Sequence, residues 1–145
     1  MSFGGPGFAS KDPELLCPCI KRRLERLTER ATSMGIKVTL LETMRDMERQ
    51  EWYLKNKRSK TLQSKHLPQP PNSLALAFDL APSSYLELRG WWPEGPLWKE
   101  LGIAGESLGL TWGGPGLVKD GFNWDFPHYQ LSVCLCERGW SPQDS

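Results

Sequence analysis

One acidic residue constrains this chain more than any other. Asp79 interrupts the apolar run Leu74-Ala75-Leu76-Ala77-Phe78-Asp79-Leu80. The run is short and follows a polar, proline-bearing stretch over 56–72, so it predicts a buried strand after a loop. A carboxylate carried into a core must be paired or must coordinate a metal. The fold has to bring a cation to Asp79. The chain holds only two histidines. His66 precedes Asp79 in Ser64-Lys65-His66, and His128 closes Asp125-Phe126-Pro127-His128. Imidazole is the commonest metal ligand and the usual proton shuttle near neutral pH. Any histidine-dependent chemistry falls to these two side chains.

The rest of the composition limits the context. A length of 145 residues suits one domain with a real core, and residues 1–11 are Gly-rich, as expected of an extended arm. A hydrophobic fraction of 39% with 24% charged residues fits a globular chain rather than a disordered one. The net charge of +1 provides no global field to draw the chain to nucleic acid. The run Lys55-Asn56-Lys57-Arg58-Ser59-Lys60 reads as a solvated loop, with attraction to an anionic polymer as the sharper alternative. No apolar stretch reaches the length of a membrane span. The first residues lack the basic and apolar regions of a signal peptide, so the protein is expected to stay in the cytosol after synthesis. A monomer is expected. The four cysteines form two pairs, Cys17-Pro18-Cys19 and Cys134-Leu135-Cys136. Four thiolates could hold a structural zinc, but this spacing is tighter than the usual C-x₂-C of zinc ribbons, and disulfides between the pairs are disfavoured in a reducing cytosol, so free, partly buried thiols are the expected state.

Periodicity outlines mixed elements. Asp12-Pro13-Glu14 has the form of a helix start, and Leu16, Ile20, Leu24, Leu27, Ala31 and Met34 then mark one helical face up to Gly35. Ile36, Val38 and Leu40 alternate with polar residues, as in a half-buried strand. A second helix is expected over about Asp46 to Lys55 and a third over about Pro96 to Leu108. Short strands are expected at Leu110-Thr111-Trp112 and at His128 to Val133. The order predicts an α+β fold with a small antiparallel sheet and flanking helices.

Two imidazoles and one carboxylate form a typical catalytic zinc set, three protein ligands with the fourth position left to water. His66, Asp79 and His128 are the candidates. A metal there would bring the pKa of a bound water from about 15.7 to about 7. A base close to that water but off the metal is also needed, and Asp125 stands three residues before His128. Arg45, just past the first predicted strand, is the candidate cation for a substrate carboxylate or a developing oxyanion, although it could simply pair with Glu42 or Asp46. Ser64 is positioned to shape its loop by local hydrogen bonding.

Taken together, Ser64-x-His66, Ala77-x-Asp79-Leu80, Gly109-Leu110-x-Trp112-Gly113-Gly114 and Asp125-x-Pro127-His128-Tyr129 resemble the motifs of the M15 zinc peptidases. The nearest branch is that of the L-alanyl-D-glutamate endopeptidases of bacteria and their phages. Thr43-Met44-Arg45 followed by Gln50 resembles that family too, and the resemblance spans about residues 36–132. It implies a fold shared with D-Ala-D-Ala metallopeptidases and hedgehog-type domains. It further implies zinc on His66, Asp79 and His128, Asp125 as acid/base, and Arg45 in substrate binding or transition-state stabilisation. The implied substrate is the stem peptide of bacterial peptidoglycan and the implied biology a phage endolysin, with a D-Ala-D-Ala carboxypeptidase as the nearest alternative. One departure stands out: residues 67–73 lengthen the interval between His66 and Asp79 beyond the family's pattern, which reads as a loop insertion bordering the metal that spares the ligands.

Two other classes compete. Gly105-Glu106-Ser107-Leu108-Gly109 matches the G-x-S-x-G elbow of serine hydrolases, but that elbow needs a strand before the serine and a helix after it. A non-catalytic domain that keeps zinc only to bind a partner is the other alternative. Of seven tryptophans, Trp91, Trp92 and Trp98 are expected in the core or a lid, and Trp112 and Trp124 along the cleft.

Overall fold

The computed structural model describes residues 9–56, 64–87, 95–114 and 125–136. Its first helix begins later than the periodicity predicts. Asp12 accepts a hydrogen bond from the Glu14 N–H, but the turn it caps, Pro13–Leu15, is a single 3₁₀ turn. The chain then runs extended through Leu16, and α1 spans Pro18–Ser33 with Cys17 as its N-cap. Both Pro13 and Pro18 fit a first helical position. The second succeeds because Leu16 is drawn into a bridge with Ala75 before the helix starts. Ile20, Leu24, Leu27 and Ala31 form the buried face as expected, whereas Met34 is exposed. Deleting the Leu27 side chain would cost about 2–5 kcal/mol, because the site is fully enclosed.

Four strands form one antiparallel sheet: β1 (Val38–Glu42), β2 (Ala77–Pro82), β3 (Thr111–Trp112) and β4 (His128–Gln130), in the order β1-β2-β4-β3. Helices α2 (Met47–Lys55), α3 (Ser83–Leu86) and α4 (Pro96–Ser107) complete the described elements. The α+β expectation holds. Asp46 caps α2 through the Arg49 N–H, at 2.9 Å. The predicted strand over 74–80 is shifted: Leu74 and Ala75 make isolated bridges, and the ladder begins at Ala77. The last strand is shorter than predicted, ending at Gln130.

Strand alternation divides the sheet chemically. Directly opposed residues of antiparallel strands share a face. Phe78 pairs with Tyr129, and Tyr129 with Trp112; all three rings are buried, and Phe78 stacks on Tyr129 at 5.4 Å. Helix α4 lies over this face at close range. A Cβ on Gly102 would come within 2.2 Å of the Trp112 ring, and one on Gly105 within 2.6 Å of Tyr129. The alternate residues Asp79, His128 and Gln130 occupy the other face. The predicted arm reaches that region: Ala9 bridges Arg45, and the Thr43 N–H donates to the Ser10 carbonyl at 2.7 Å. Residues 1–8 and Lys57-Arg58-Ser59-Lys60 of the basic run lie outside the described residues, as do Trp91, Trp92 and Trp124. No helix among the described residues is long and apolar enough to cross a membrane.

Candidate metal centre

The β2–β4 register sets Asp79 directly opposite His128. His128 Nδ1 then lies 3.3 Å from Asp79 Oδ1. His66 arrives from a turn, where its N–H donates to Ser64 Oγ at 3.1 Å, the local bond expected of that serine. His66 Nε2 lies 3.0 Å from the same Asp79 oxygen. The two rings meet edge-on with centroids 5.1 Å apart, and the three ligand atoms lie within 4.8 Å of one another. The three predicted ligands, separated in sequence, come together in space.

The outer ring nitrogens decide what this cluster is suited to hold. His66 Nδ1 lies 2.6 Å from the Thr43 carbonyl oxygen, which can only accept, so Nδ1 carries the proton. A neutral His66 would thus turn the Nε2 lone pair onto a carboxylate oxygen. On the other ring, Nε2 donates to Gln130 Oε1 at 2.8 Å, and Nδ1 is the atom turned toward Asp79. Lone pairs converging on an anionic oxygen call for a proton or a metal ion between them, and the anchored remote nitrogens suit the metal. Metal-binding imidazoles are oriented in this manner, by an oxygen acceptor on the remote nitrogen.

Charge follows the same logic. Burial opposes ionisation of Asp79, but His66 and then His128 reverse this and hold its carboxyl far below the usual range. Burial also opposes protonation of His128, yet the hydrogen bond and charge of Asp79 raise it. Asp125 behaves oppositely: burial, reinforced by the Asp79 carboxylate, raises it to about 6. Two neighbouring acids are thereby driven apart, the pattern that separates a charge-holding group from a proton-moving one.

Asp125 sits beside the ligands without joining them, with Oδ2 3.8 Å from His128 Nδ1. A tight turn fixes it. The His128 N–H donates to the Asp125 carbonyl at 3.1 Å, the Asp125 N–H to Gly113 at 3.0 Å, and the Gly113 N–H to His128 at 2.7 Å. Trp112 donates its indole N–H to the Phe126 carbonyl at 2.7 Å and is almost fully buried. It props the turn from the core rather than lining a cleft, which corrects the expectation for this residue. Gly113 permits the closeness: a Cβ there would lie 2.4 Å from the Asp125 carbonyl oxygen.

Arg45 is buried and occupied. Its guanidinium grips Glu42 through two bonds of 2.7 Å, donates to Gln50 at 2.8 Å, and lies over Tyr53. Asp46, the other partner considered from sequence, caps α2 instead. The main chain of Arg45 also serves the site, since its N–H donates to the His66 carbonyl at 3.0 Å. An irregularity between Leu40 and Glu42 sets Glu42 opposite Asp79 and so brings the Glu42–Arg45 pair to the edge of the centre.

The insertion folds back on itself. The Gln69 N–H donates to Leu74 and the Ser73 N–H to Gln69, so the extra length closes as a local loop and His66 still reaches Asp79. Its near end, Leu67 to Gln69, lines a cavity of about 600 Å³ with Asp46, Met47, Ser64 and Lys65. Its far end turns away to Cys17, through Asn72. Ser107 is excluded from a hydrolase elbow: helix precedes it and strand follows, and its hydroxyl donates to Ala104 and accepts from Arg30.

The Thr43 carbonyl and Gln130 are the parts that motif reasoning missed. Gln130 has a signal, since it is two residues from His128 on the same strand face. A backbone carbonyl has none. No family model matches the chain, and no curated protein matches it. Among solved structures it is similar to an L-Ala D-Glu endopeptidase of Serratia marcescens, ChiX, at 22% identity and a TM-score of 0.48, over 83% of this chain and 80% of that one.

Proposed function

We propose that this chain is a zinc-dependent peptidase that cleaves the stem peptide of peptidoglycan between L-Ala and D-Glu, and that it serves as a phage endolysin. The observation that carries the catalytic part is the pair of anchored imidazoles. Each gives its remote nitrogen to an oxygen acceptor and turns the other toward Asp79, while Asp125 stands alongside. The donor set fits zinc: two nitrogens and one carboxylate oxygen leave one position open. Bound there, zinc supplies a Lewis acid that makes water acidic and polarises a carbonyl.

The remaining work belongs to the chain's own residues. Asp125 takes the proton of the attacking water at its carboxylate and returns a proton to the leaving amine. Asp79 stays ionised. Thr43 and Gln130 keep the two rings from rotating. Arg45, held by Glu42 and Gln50, contributes positive charge that favours the anionic form of Asp125. The choice of peptidoglycan, of the L-Ala–D-Glu bond and of a lytic role after release from the host cytoplasm rests on the motif resemblance.

Mass spectrometry of digested peptidoglycan tests the reading. Zinc-loaded protein is expected to release peptides beginning with D-Glu. Loss of the terminal D-Ala alone would assign a carboxypeptidase, and unchanged muropeptides would assign a binding domain.

A further inference from the structure

The cysteines do not behave as two unrelated pairs. Cys17 Sγ lies 3.3 Å from Cys134 Sγ and 3.4 Å from Cys136 Sγ, with Cys19 Sγ 3.6 Å from Cys17 Sγ. All four sulfurs fall within 4.8 Å of one another. A disulfide would bring two sulfurs to about 2.05 Å. Here Cys17 is almost equally close to both members of the other pair, so no single partner is selected. A tetrahedral ion with bonds of about 2.3 Å to sulfur would place its ligands about 3.8 Å apart. The observed spacings are of that order.

Hydrogen-bond donors reach two of the sulfurs. Asn72 Nδ2 donates to Cys17 Sγ at 3.3 Å, and the Cys136 N–H donates to Cys134 Sγ at 3.4 Å. Cys17 caps the 16-residue helix α1 and Cys19 lies in its first turn, where the helix end favours negative charge. A bound divalent cation is what lets several thiolates share so small a space.

We propose that Cys17, Cys19, Cys134 and Cys136 bind one zinc ion as a closed, structural site, separate from the histidine centre. The group is entirely cysteine. Two pairs of side chains complete a tetrahedron and leave no open position for chemistry. The site fastens the segment after β4 to the start of α1. Through Asn72 it also fixes the far end of the insertion. Segment 131–136 needs such a fastening, because it contains neither helix nor strand. The C-x-C spacing is tighter than in zinc ribbons, and the fold compensates by bringing two pairs distant in sequence into contact.

Metal analysis of the full chain, purified from zinc-supplemented medium, tests this. The wild type is expected to hold two zinc ions, and the double variant His66→Ala/His128→Ala one. X-ray absorption at the zinc edge of that variant should show a shell of sulfur alone, at about 2.3 Å. Cobalt substitution should give it a thiolate charge-transfer band, which Cys134→Ser/Cys136→Ser loses. A folded histidine double variant without zinc, its four thiols free to titrate or joined as mapped disulfides, would overturn the proposal. That outcome does not require the cysteine variant to fold. Absence of peptidase activity would instead refute the proposed reaction and leave these zinc counts unaffected.

Discussion

The two clusters of candidate metal ligands are built on different plans. The histidine centre draws two ligands from paired strands and one from a loop, and it keeps an additional carboxylate beside them. The cysteine cluster draws two ligands from the start of α1 and two from the segment after β4, at the edge of the apolar core, with N–H donors on two of its sulfurs. Three ligands plus a nearby proton carrier leave a position for substrate. Four soft ligands leave none. The first plan supports chemistry; the second supports attachment.

The largest effect that separates the two plans is loss of a histidine ligand. His66→Ala or His128→Ala should abolish zinc at that centre and reduce peptidoglycan cleavage to background, while the cysteine site stays loaded. Chelation of the wild type should follow the same order, with cleavage lost before the melting temperature falls. If one chelator concentration removed both properties together, the division of labour between the centres would be wrong.

Asp125→Ala comes next. It removes the proton carrier but no ligand, so turnover should fall about 10²–10⁴-fold while zinc content is unchanged. Near-normal turnover by a folded variant would strip Asp125 of its assigned role. A smaller loss is expected from Gln130→Ala, which frees the His128 ring from its anchor. Removal of such an outer partner typically costs about 10–100-fold in metal affinity or activity. Zinc titration of the variant measures it, and the cysteine centre should bind as before.

Much of the reactive centre was legible in the sequence because its parts carry strong local signals. Asp79 is a charge in an apolar run, and the only two histidines are His66 and His128. The β2–β4 register then places Asp79 against His128. What could not be read has physical reasons. The Thr43 carbonyl that fixes the His66 tautomer belongs to the backbone and is invisible to residue type. The start of α1 was misplaced because Asp12-Pro13 and Cys17-Pro18 both fit a helix N-terminus, and only the long-range bridge from Leu16 to Ala75 chooses between them. A four-cysteine metal site ranked below free thiols for a similar reason. Neither C-x-C pair resembles a zinc knuckle alone, and nothing local reveals that Cys17 and Cys134 meet.

The smallest expected effect comes from the residue between the two anchored positions of β4. Tyr129 alternates away from His128 and Gln130 and stacks on Phe78 in the core. Its hydroxyl is buried and finds no hydrogen-bond partner among the described residues. Burial strongly raises its pKa, with the charge of Glu106 adding to this, so the phenol stays neutral. An unsatisfied buried hydroxyl is a cost to the fold, and Tyr129→Phe removes it without changing the ring. Stability should hold or rise by about 1 kcal/mol in a denaturant titration. Zinc content and cleavage should not change, since the substitution acts on the helix-facing side of the sheet. Loss of zinc from the histidine centre would mean that the two faces of β4 are not independent, and that core packing sets the geometry of that centre.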